Sequence, residues 1–508
     1  MKCVAFIILF SALGAIAQTN QTAAAAAATR PMTLQNCLRL ALSQNFDVQV
    51  QRINPQIALF ALETAYAGWE PAFNISGQHN NTVSPASLTA NEIQIPSSTS
   101  DENQFSSGIK GVLPWGLQYD FSGNVSDTYG TKYSTDTNGF ITGSPFRNSA
   151  GSISVTMTQP ILKNFWIDGT RLAIRVAGNR LKYSKQGLRL QLITTVTAVA
   201  NAYYELIYAQ GNLEVQQQAL QLAQTQLSQD RQRAQIGTLP PLNLRQDESQ
   251  VAQSQANLIA AQDTLLLDQN TLKNLITDNY TKWHDVDIQP SEPLAAPLVS
   301  FNLQNSWAAG MDERPDLIQA RLNLQEQGIE LRYYRNQLFP ELDLFGTYGF
   351  NAGGGEQFRD TFGQLNEGNQ PFYTYGAQLS MPLGDYGPRT QFRSTKATLR
   401  QVLLQFKQLE QNVLVEIDNA VKDAQSKYQS VEATRQARIY AEAALEAEQE
   451  QYAVGKTTTF TVLQYQNLLT AARSNEIRAL ADYNEALAAL AQQEGTTLQK
   501  FGIDVQGI

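Results

Sequence analysis

The chain has 508 residues, 43% of them hydrophobic and only 16% charged, with a net charge of −9 and an isoelectric point near 5.0. That balance argues against nucleic acid as a partner, since nucleic acid needs a basic face. No Lys/Arg cluster marks an anionic membrane surface either.

The N-terminus reads as a secretory signal peptide over 1–17. Lys2 supplies the positive end, Val4 to Ala17 is apolar, and Ala15-Ile16-Ala17 fits the small-residue cleavage rule, so the mature chain is expected to begin at Gln18. The apolar run has about 14 residues, against about 20 for a spanning helix. No later segment is long and apolar enough to span as a helix, so entry into a membrane has to be as a barrel. Cys3 leaves with the signal and Cys37 remains alone. No intramolecular disulfide is therefore expected, and Cys37 reads as a small buried helix residue.

A Thr/Gln/Ala-rich leader, 18–32, is expected to be disordered. From Thr33 to about Ala67 the spacing of Leu34, Leu38, Ala41, Leu42 and Phe46 predicts a helix, which Trp69-Glu70-Pro71 ends. The period then changes to two over about 72–160. Phe73 and Ile75 alternate with Asn74 and Ser76, and Phe105 and Ile109 share a face. Leu117, Tyr119, Phe121 and Val125 alternate with polar residues, as do Ile153, Val155 and Met157. These are strands with one apolar and one polar face. A tight Leu113-Pro114-Trp115-Gly116 turn lies between the middle two, and polar stretches at about 80–103 and 131–148 read as long loops. Short turns at one end and long loops at the other suit an outer-membrane barrel.

The helical period returns over about 171–235, where Leu206, Leu213, Leu220 and Leu227 are spaced by seven with Ala202, Ala209 and Ala223 beside them. This is a coiled-coil seam with a small-residue companion. Gly237-Thr238-Leu239-Pro240-Pro241 stops it, and a second helix follows over about 242–276 with Val251, Leu258, Leu265 and Leu272 spaced by seven. A Pro-rich link, 279–300, separates this first repeat (33–278) from a second (301–495). The second repeat runs as a helix to about Leu338, strands over about 341–383 around a Gly-rich loop at about 352–371, a long helix over about 392–453, a break at Gly455 and a last helix over about 460–494. A tail, 496–508, follows.

The two repeats answer each other in order. Asn45-Phe46-Asp47-Val48 answers Arg314-Pro315-Asp316-Leu317. Pro71, Phe73, Ile75 and Gly77 answer Pro340, Leu342, Leu344 and Gly346. Gln159-Pro160-Ile161 answers Met381-Pro382-Leu383, and Ile236-Gly237-Thr238 answers Val454-Gly455-Lys456. Only the first copy has the additional residues around the Leu113–Gly116 turn. At about 1.5 Å per residue the helix over 171–235 is roughly 100 Å long, and in each repeat the two shorter helices sum to a similar length. One chain offers four to six strands, whereas the smallest membrane barrels have about eight. An open strand edge cannot sit in lipid, so other copies of the chain are expected to complete the barrel. Counting the extra hairpin gives six strands per chain and about 18 in three copies.

The order helix, strands, long helix, Gly turn, helix, given twice, resembles the TolC family of outer-membrane efflux and secretion channels. The residues that carry the resemblance are Leu34 to Asp47, the Gln-Pro-Ile-Leu and Met-Pro-Leu-Gly strand ends, and Gln451-Tyr452-Ala453-Val454-Gly455 followed by Val462-Leu463. The resemblance implies an α+β fold: a trimeric outer-membrane β-barrel continued by a long periplasmic α-helical coiled-coil barrel. It implies a homotrimer in outer-membrane lipid, an adaptor protein docking at the helix tips, and an inner-membrane transporter beneath. The docking positions would be Gly237, Thr238, Leu239, Tyr452, Gly455, Lys456 and Thr457. The family's ring of aspartates falls here on Thr461 and Gln464, so an acidic gate would have to come from Asp247, or from Asp247 and Glu248; the other reading of these two is acidic residues near a helix N-terminus.

No enzymatic constellation emerges. His79 and His284 lack plausible catalytic partners or metal-ligand spacing, and Gly353-Gly354-Gly355 lacks the flanks of a phosphate loop. No cofactor is expected. The alternative to a channel is a periplasmic coiled-coil scaffold or adhesin without a pore; within the channel class, efflux and type I secretion stay undivided.

Overall fold

The computed structural model describes residues 28–88, 93–135, 140–237, 240–384 and 386–503. The signal peptide, the cleavage point before Gln18, most of the leader, and Thr238 and Leu239 lie outside the described residues.

In chain order, strand β1 (Ala28–Met32) leads into helices α1 (Leu34–Gln44) and α2 (Phe46–Tyr66). Strands β2 (Ala72–Ser84), β3 (Ser87–Leu88), β4 (Gln94–Ile95), β5 (Ser98–Val112), β6 (Gln118–Thr135) and β7 (Ile141–Pro160) follow. Next come helices α3 (Gly169–Gln235), α4 (Pro241–Ile276) and α5 (Tyr280–Trp283), then strand β8 (Val286–Pro290). The second repeat holds α6 (Leu303–Glu313), α7 (Pro315–Asn336), β9 (Glu341–Gly355), α8 (Phe358–Glu367), β10 (Pro371–Ser380), α9 (Tyr386–Ala453), α10 (Thr459–Glu494) and α11 (Thr497–Lys500). None of the described helices is long and apolar enough to cross a membrane.

Contacts divide the chain into two compact units. Of the described residues, one takes those within 28–45, 198–298 and 427–485; the other takes those within 46–197, 299–426 and 486–503.

The second unit is organised by a six-stranded antiparallel sheet in the order β10-β9-β7-β6-β5-β2. Its register explains its two faces. Phe73, Ile109, Phe121, Val155, Tyr348 and Tyr373 pair in one unbroken row across all six strands. Ser76, Ser106, Asn124, Ser152 and Asn351 form a polar row. Successive residues point to opposite faces of a strand, so one face is apolar and aromatic and the other carries hydroxyls and amides. The apolar face is uncovered over much of its area: Ile75 is 75% exposed and Tyr375 81%. The β5–β6 hairpin turns at Leu113–Gly116, where Gly116 N donates to Leu113 O and Gly116 takes φ +92°, a left-handed conformation suited to glycine. The helical part of this unit packs Leu317, Val413, Ile417, Val421 and Leu490 into one core, with Trp307 and Phe406 against it.

Four expectations need correction. The polar stretches read as loops at 80–103 and 131–148 are largely strand, because β2, β5, β6 and β7 run into them. There the strands are held by polar cross-strand pairs such as Asn81–Asp101 (2.6 Å) and Arg147–Asp127 (2.7 Å), which leave no apolar alternation to read. The Gly-rich loop holds α8, begun by a Gln357/Asp360 capping box and stopped by Gly368 at φ +66°. Thr361 Oγ1 donates to Ser149 Oγ, and the Phe358 ring meets Phe105 edge-on, so α8 rests on the apolar face of the sheet. The helices expected over 33–67 and 301–338 are each two helices, broken at extended Asn45 and where Pro315 follows Arg314. Finally, the leader and the Pro-rich link are not featureless: Ala28–Met32 pairs in parallel with Val286–Pro290.

In the first unit α1 buries Leu34, Cys37, Leu38 and Ala41. Burial pushes the Cys37 thiol up to about 12. Leu206, Ala209, Leu272, Ile276 and Ile288 are buried in the same unit. A separate core of Ala441, Leu445, Tyr452, Val462, Leu469 and Ala472, with Leu222 and Tyr465 against it, lies beside the two interhelical turns.

Candidate functional site: the two interhelical turns

Both turns end a long helix in the same way. After α9, Gly455 N donates to Tyr452 O and Lys456 N to Gln451 O, with Gly455 at φ +74°. This is a Schellman stop, in which a left-handed glycine lets two amides reach back to the last carbonyls. After α3, Gly237 N donates to Ala234 O at φ +80°. A Cβ at either glycine would meet open space, so backbone conformation alone asks for glycine there. Apolar side chains stand out around the turns: Ile236, Leu242, Val454 and Phe460 are all exposed.

Of the expected docking residues, Gly237, Gly455 and Lys456 are exposed and Thr457 is half-buried, its Oγ1 donating to Glu448. Tyr452 departs from the expectation. It is buried, and its hydroxyl lies 2.8 and 2.9 Å from the two Asp230 oxygens and 2.8 Å from Thr459 Oγ1. An aromatic ring on the core side of α9 joins the apolar cluster, and its hydroxyl then needs an internal acceptor.

Asp230 supplies that acceptor. Gln226 Nε2 (3.0 Å) and Thr459 Oγ1 (3.2 Å) also donate to it. Arg233 Nη1 lies 3.8 Å away, with its guanidinium over the Tyr452 ring. Asn243 on α4 donates to Thr459 Oγ1 at 3.3 Å. Asp230 is fully buried, and donors from α3, α9 and α10 surround it.

Asp247 is the main correction to the sequence reading. It was expected to offer an acidic ring to the channel axis, yet its side chain is wholly buried within its own chain, and association with other copies can only bury it further. Neither of its oxygens receives a hydrogen bond from a donor group. Burial, then the charge of Asp230, then the hydrogen bond to Asp230 push its carboxyl up to about 7. Glu248 stays at the surface, paired with Arg245 at 3.0 Å and Arg231 at 3.5 Å. Thr461 is half-buried, with its hydroxyl 3.0 Å from that of Thr458, and Gln464 is exposed. Gln464 borders a groove between α4 and α10 that is also lined by Arg245, Gln250, Phe460, Leu463 and Asn467.

Sequence reasoning missed Asp230. Its signal was available: Asp230 continues the seven-residue stripe of Ala202, Ala209 and Ala223, and Asp247 begins the matching stripe of Ser254 and Ala261 on α4. All seven are buried. Among the described residues no cluster of three metal-ligating side chains occurs.

Known proteins match this architecture along most of the chain. The family model described as outer membrane efflux protein matches residues 122–277 and 311–496. The chain is 24% identical to the outer membrane protein TolC of Vibrio cholerae over 68% of this chain and 76% of that protein. It is 25% identical to the pyoverdine export outer membrane protein OpmQ of Pseudomonas putida over 64% of this chain and 67% of that protein. The CmeC outer membrane channel of Campylobacter jejuni shares the fold with a TM-score of 0.64 at 13% identity, covering 94% of this chain and 90% of that one. VceC of Vibrio cholerae does so with a TM-score of 0.64 at 17% identity, over 91% and 96%. Matched by the family model over both of its repeats, the chain belongs to the outer membrane efflux protein family, the TolC family of outer-membrane channels.

Proposed function

We propose that the protein is the homotrimeric exit duct of a multi-component export system, closed in the outer membrane as a barrel of about 18 strands, six from each chain. The observation that carries this is the six-stranded sheet with a continuous aromatic and aliphatic row on one face and β2 and β10 at its edges. Unpaired edge amides and carbonyls are costly in lipid. Joining the β10 edge of one copy to the β2 edge of the next pairs every edge, turning the apolar face, where α8 leaves it uncovered, to lipid and the Ser/Asn/Gln face to a water-filled lumen. Barrel diameter grows roughly linearly with strand number, so about 18 strands make a lumen about 1.5 times as wide as about 12 would.

The turns at Gly237 and Gly455 are read as the periplasmic ends, where a periplasmic adaptor docks and connects the duct to an inner-membrane transporter. Exposed Ile236, Leu242, Val454 and Phe460, with Lys456, suit such a contact. The groove between α4 and α10 gives that contact a concave side. In the unpartnered channel, closure rests on packing and neutral hydrogen bonds at Thr461 and Gln464. The test is single-channel recording on protein purified from outer membranes, with neutral polymers of graded size to gauge the lumen. Heat-sensitive trimers that conduct and admit polymers too large for a barrel of about 12 strands are expected. A stable monomer without conductance would sink the proposal.

A further inference from the structure

Two carboxylates side by side in a dry interior cannot both be charged without a large penalty. Asp230 and Asp247 are both wholly buried, Asp247 lies within reach of the charge of Asp230, and the two are treated very differently. Asp230 has Tyr452, Thr459 and Gln226 as donors and Arg233 as its counter-charge. Asp247 has no donor and no solvent. The economical state therefore puts a proton on Asp247.

We infer that Asp230 and Asp247 form a proton-binding site that couples the packing of α3, α4, α9 and α10 beside the two turns to the pH of the periplasm, and thereby latches the channel shut in acid. This rests on the reading of these turns as the closing end of the duct.

The surroundings leave Asp247 few other ways to lose its charge. From α3 it meets Asp230, with Arg233 beyond, already engaged with Asp230 and the Tyr452 ring. The Tyr452 phenol of α9 is bound to Asp230 and is itself raised above its ordinary range by burial and by Asp230. The Thr459 hydroxyl of α10 is taken up by Asp230, Tyr452 and Asn243. On α4 itself, Arg245 is paired with Glu248 at the surface.

The direction follows from linkage. The packed arrangement holds Asp247 with its carboxyl raised to about 7, against 3.8 for an ordinary aspartate. The packed state therefore binds a proton that a loosened, hydrated state releases. The stabilisation is fully present below about pH 4, falls as pH rises, and is lost above about pH 7. Acid holds the four helices together. Neutral or alkaline medium charges the pair and favours parting α4 from α3.

The experiment uses the full-length trimer in planar bilayers between pH 4.5 and 8. Wild type is expected to open more readily as pH rises, by up to about tenfold per pH unit for each site, levelling near neutrality. Asp247→Asn mimics the protonated carboxyl and should hold the open fraction at its low, acid-side value at every pH. Asp230→Asn removes the repelling charge and should move the transition to lower pH. Hydrogen exchange of 226–233 and 452–459, corrected for intrinsic rates, should follow the same profile. If Asp247→Asn keeps the wild-type pH dependence in both readouts, the latch is wrong. If no variant conducts while exchange still titrates with Asp247, the proton site stands and the duct reading fails.

Discussion

The α3–α4 and α9–α10 hairpins are built on the same seven-residue seam, and each admits charge into it, but with opposite sign relations. On α9 the stripe runs Val431, Arg438, Leu445, Tyr452; on α10 it runs Val462, Leu469, Glu476, Tyr483. The apolar members are buried, and the two exceptions pair with each other, Arg438 Nε donating to Glu476. Glu476 also meets Arg435 at 3.7 Å, and Arg438 also meets Glu442 at 3.1 Å. In the first repeat the corresponding intrusion is two aspartates. An opposite-charge layer sets register and is content at any neutral pH. A like-charge layer is stable only while it holds a proton. The same backbone architecture thus carries a fixed joint in one hairpin and a titratable one in the other.

Turning the fixed joint into a repelling one should have the largest effect. Glu476→Lys removes the partner of Arg438 and places a second cation in a layer where Glu476 is 15% and Arg438 30% exposed. A loss of about 3 kcal/mol, the low end for a buried pair, is expected from breaking this half-buried one and adding repulsion. Urea unfolding measures it, and the double exchange Arg438→Glu with Glu476→Arg should recover most of the loss. Failure of the exchange to rescue would mean that this layer does not depend on sign, and the contrast between the hairpins would collapse.

A smaller effect is expected at the titratable joint from Tyr452→Phe. The ring keeps its place among Leu445, Val462 and Leu469, while Asp230 loses one of its donors. The cost is about 1–3 kcal/mol, the range for leaving a buried acceptor short of a partner. Urea unfolding measures it, and an unchanged stability would show that Tyr452 contributes packing alone.

Much of this was legible in the chain itself. The period of two over 72–160, the seven-residue Leu spacing in 206–227 and the two Gly stops each have one physical reading, and the repeat set their order. The six strands became countable once the Leu113–Gly116 turn was seen as a hairpin. What escaped notice did so for identifiable reasons. The outer halves of β5, β6 and β7 carry polar residues on both faces, so no alternation marks them. Helix α8 is ten residues beside a glycine run, and its anchor, Thr361 to Ser149, joins residues more than two hundred apart in sequence. Asp247 read as a helix-end charge because one helix viewed alone does not reveal that Asp230 stands opposite. Only the fold, which buries both the stripe Ala209–Ala223–Asp230 and the stripe Asp247–Ser254–Ala261, turns it inward.

The smallest effect belongs to Gln464, and its smallness is what makes it informative. Gln464 is exposed on α10, two residues past buried Val462, so truncation removes no core contact. Gln464→Ala should alter folding stability by no more than about 0.5 kcal/mol, as for surface positions generally. If closure rests on neutral hydrogen bonds among three copies, the same change should still raise the fraction of time the channel is open. No charge is removed, so the reversal potential in a salt gradient should stay put. The wholly buried Asp247 predicts the same constancy for Asp247→Asn, because a group wholly buried within its own chain does not line the ion path. A shift in reversal potential with either variant would place the altered side chain against permeating ions. For Asp247 that would require the α3–α4 hairpin to open and turn its aspartate outward whenever the channel conducts.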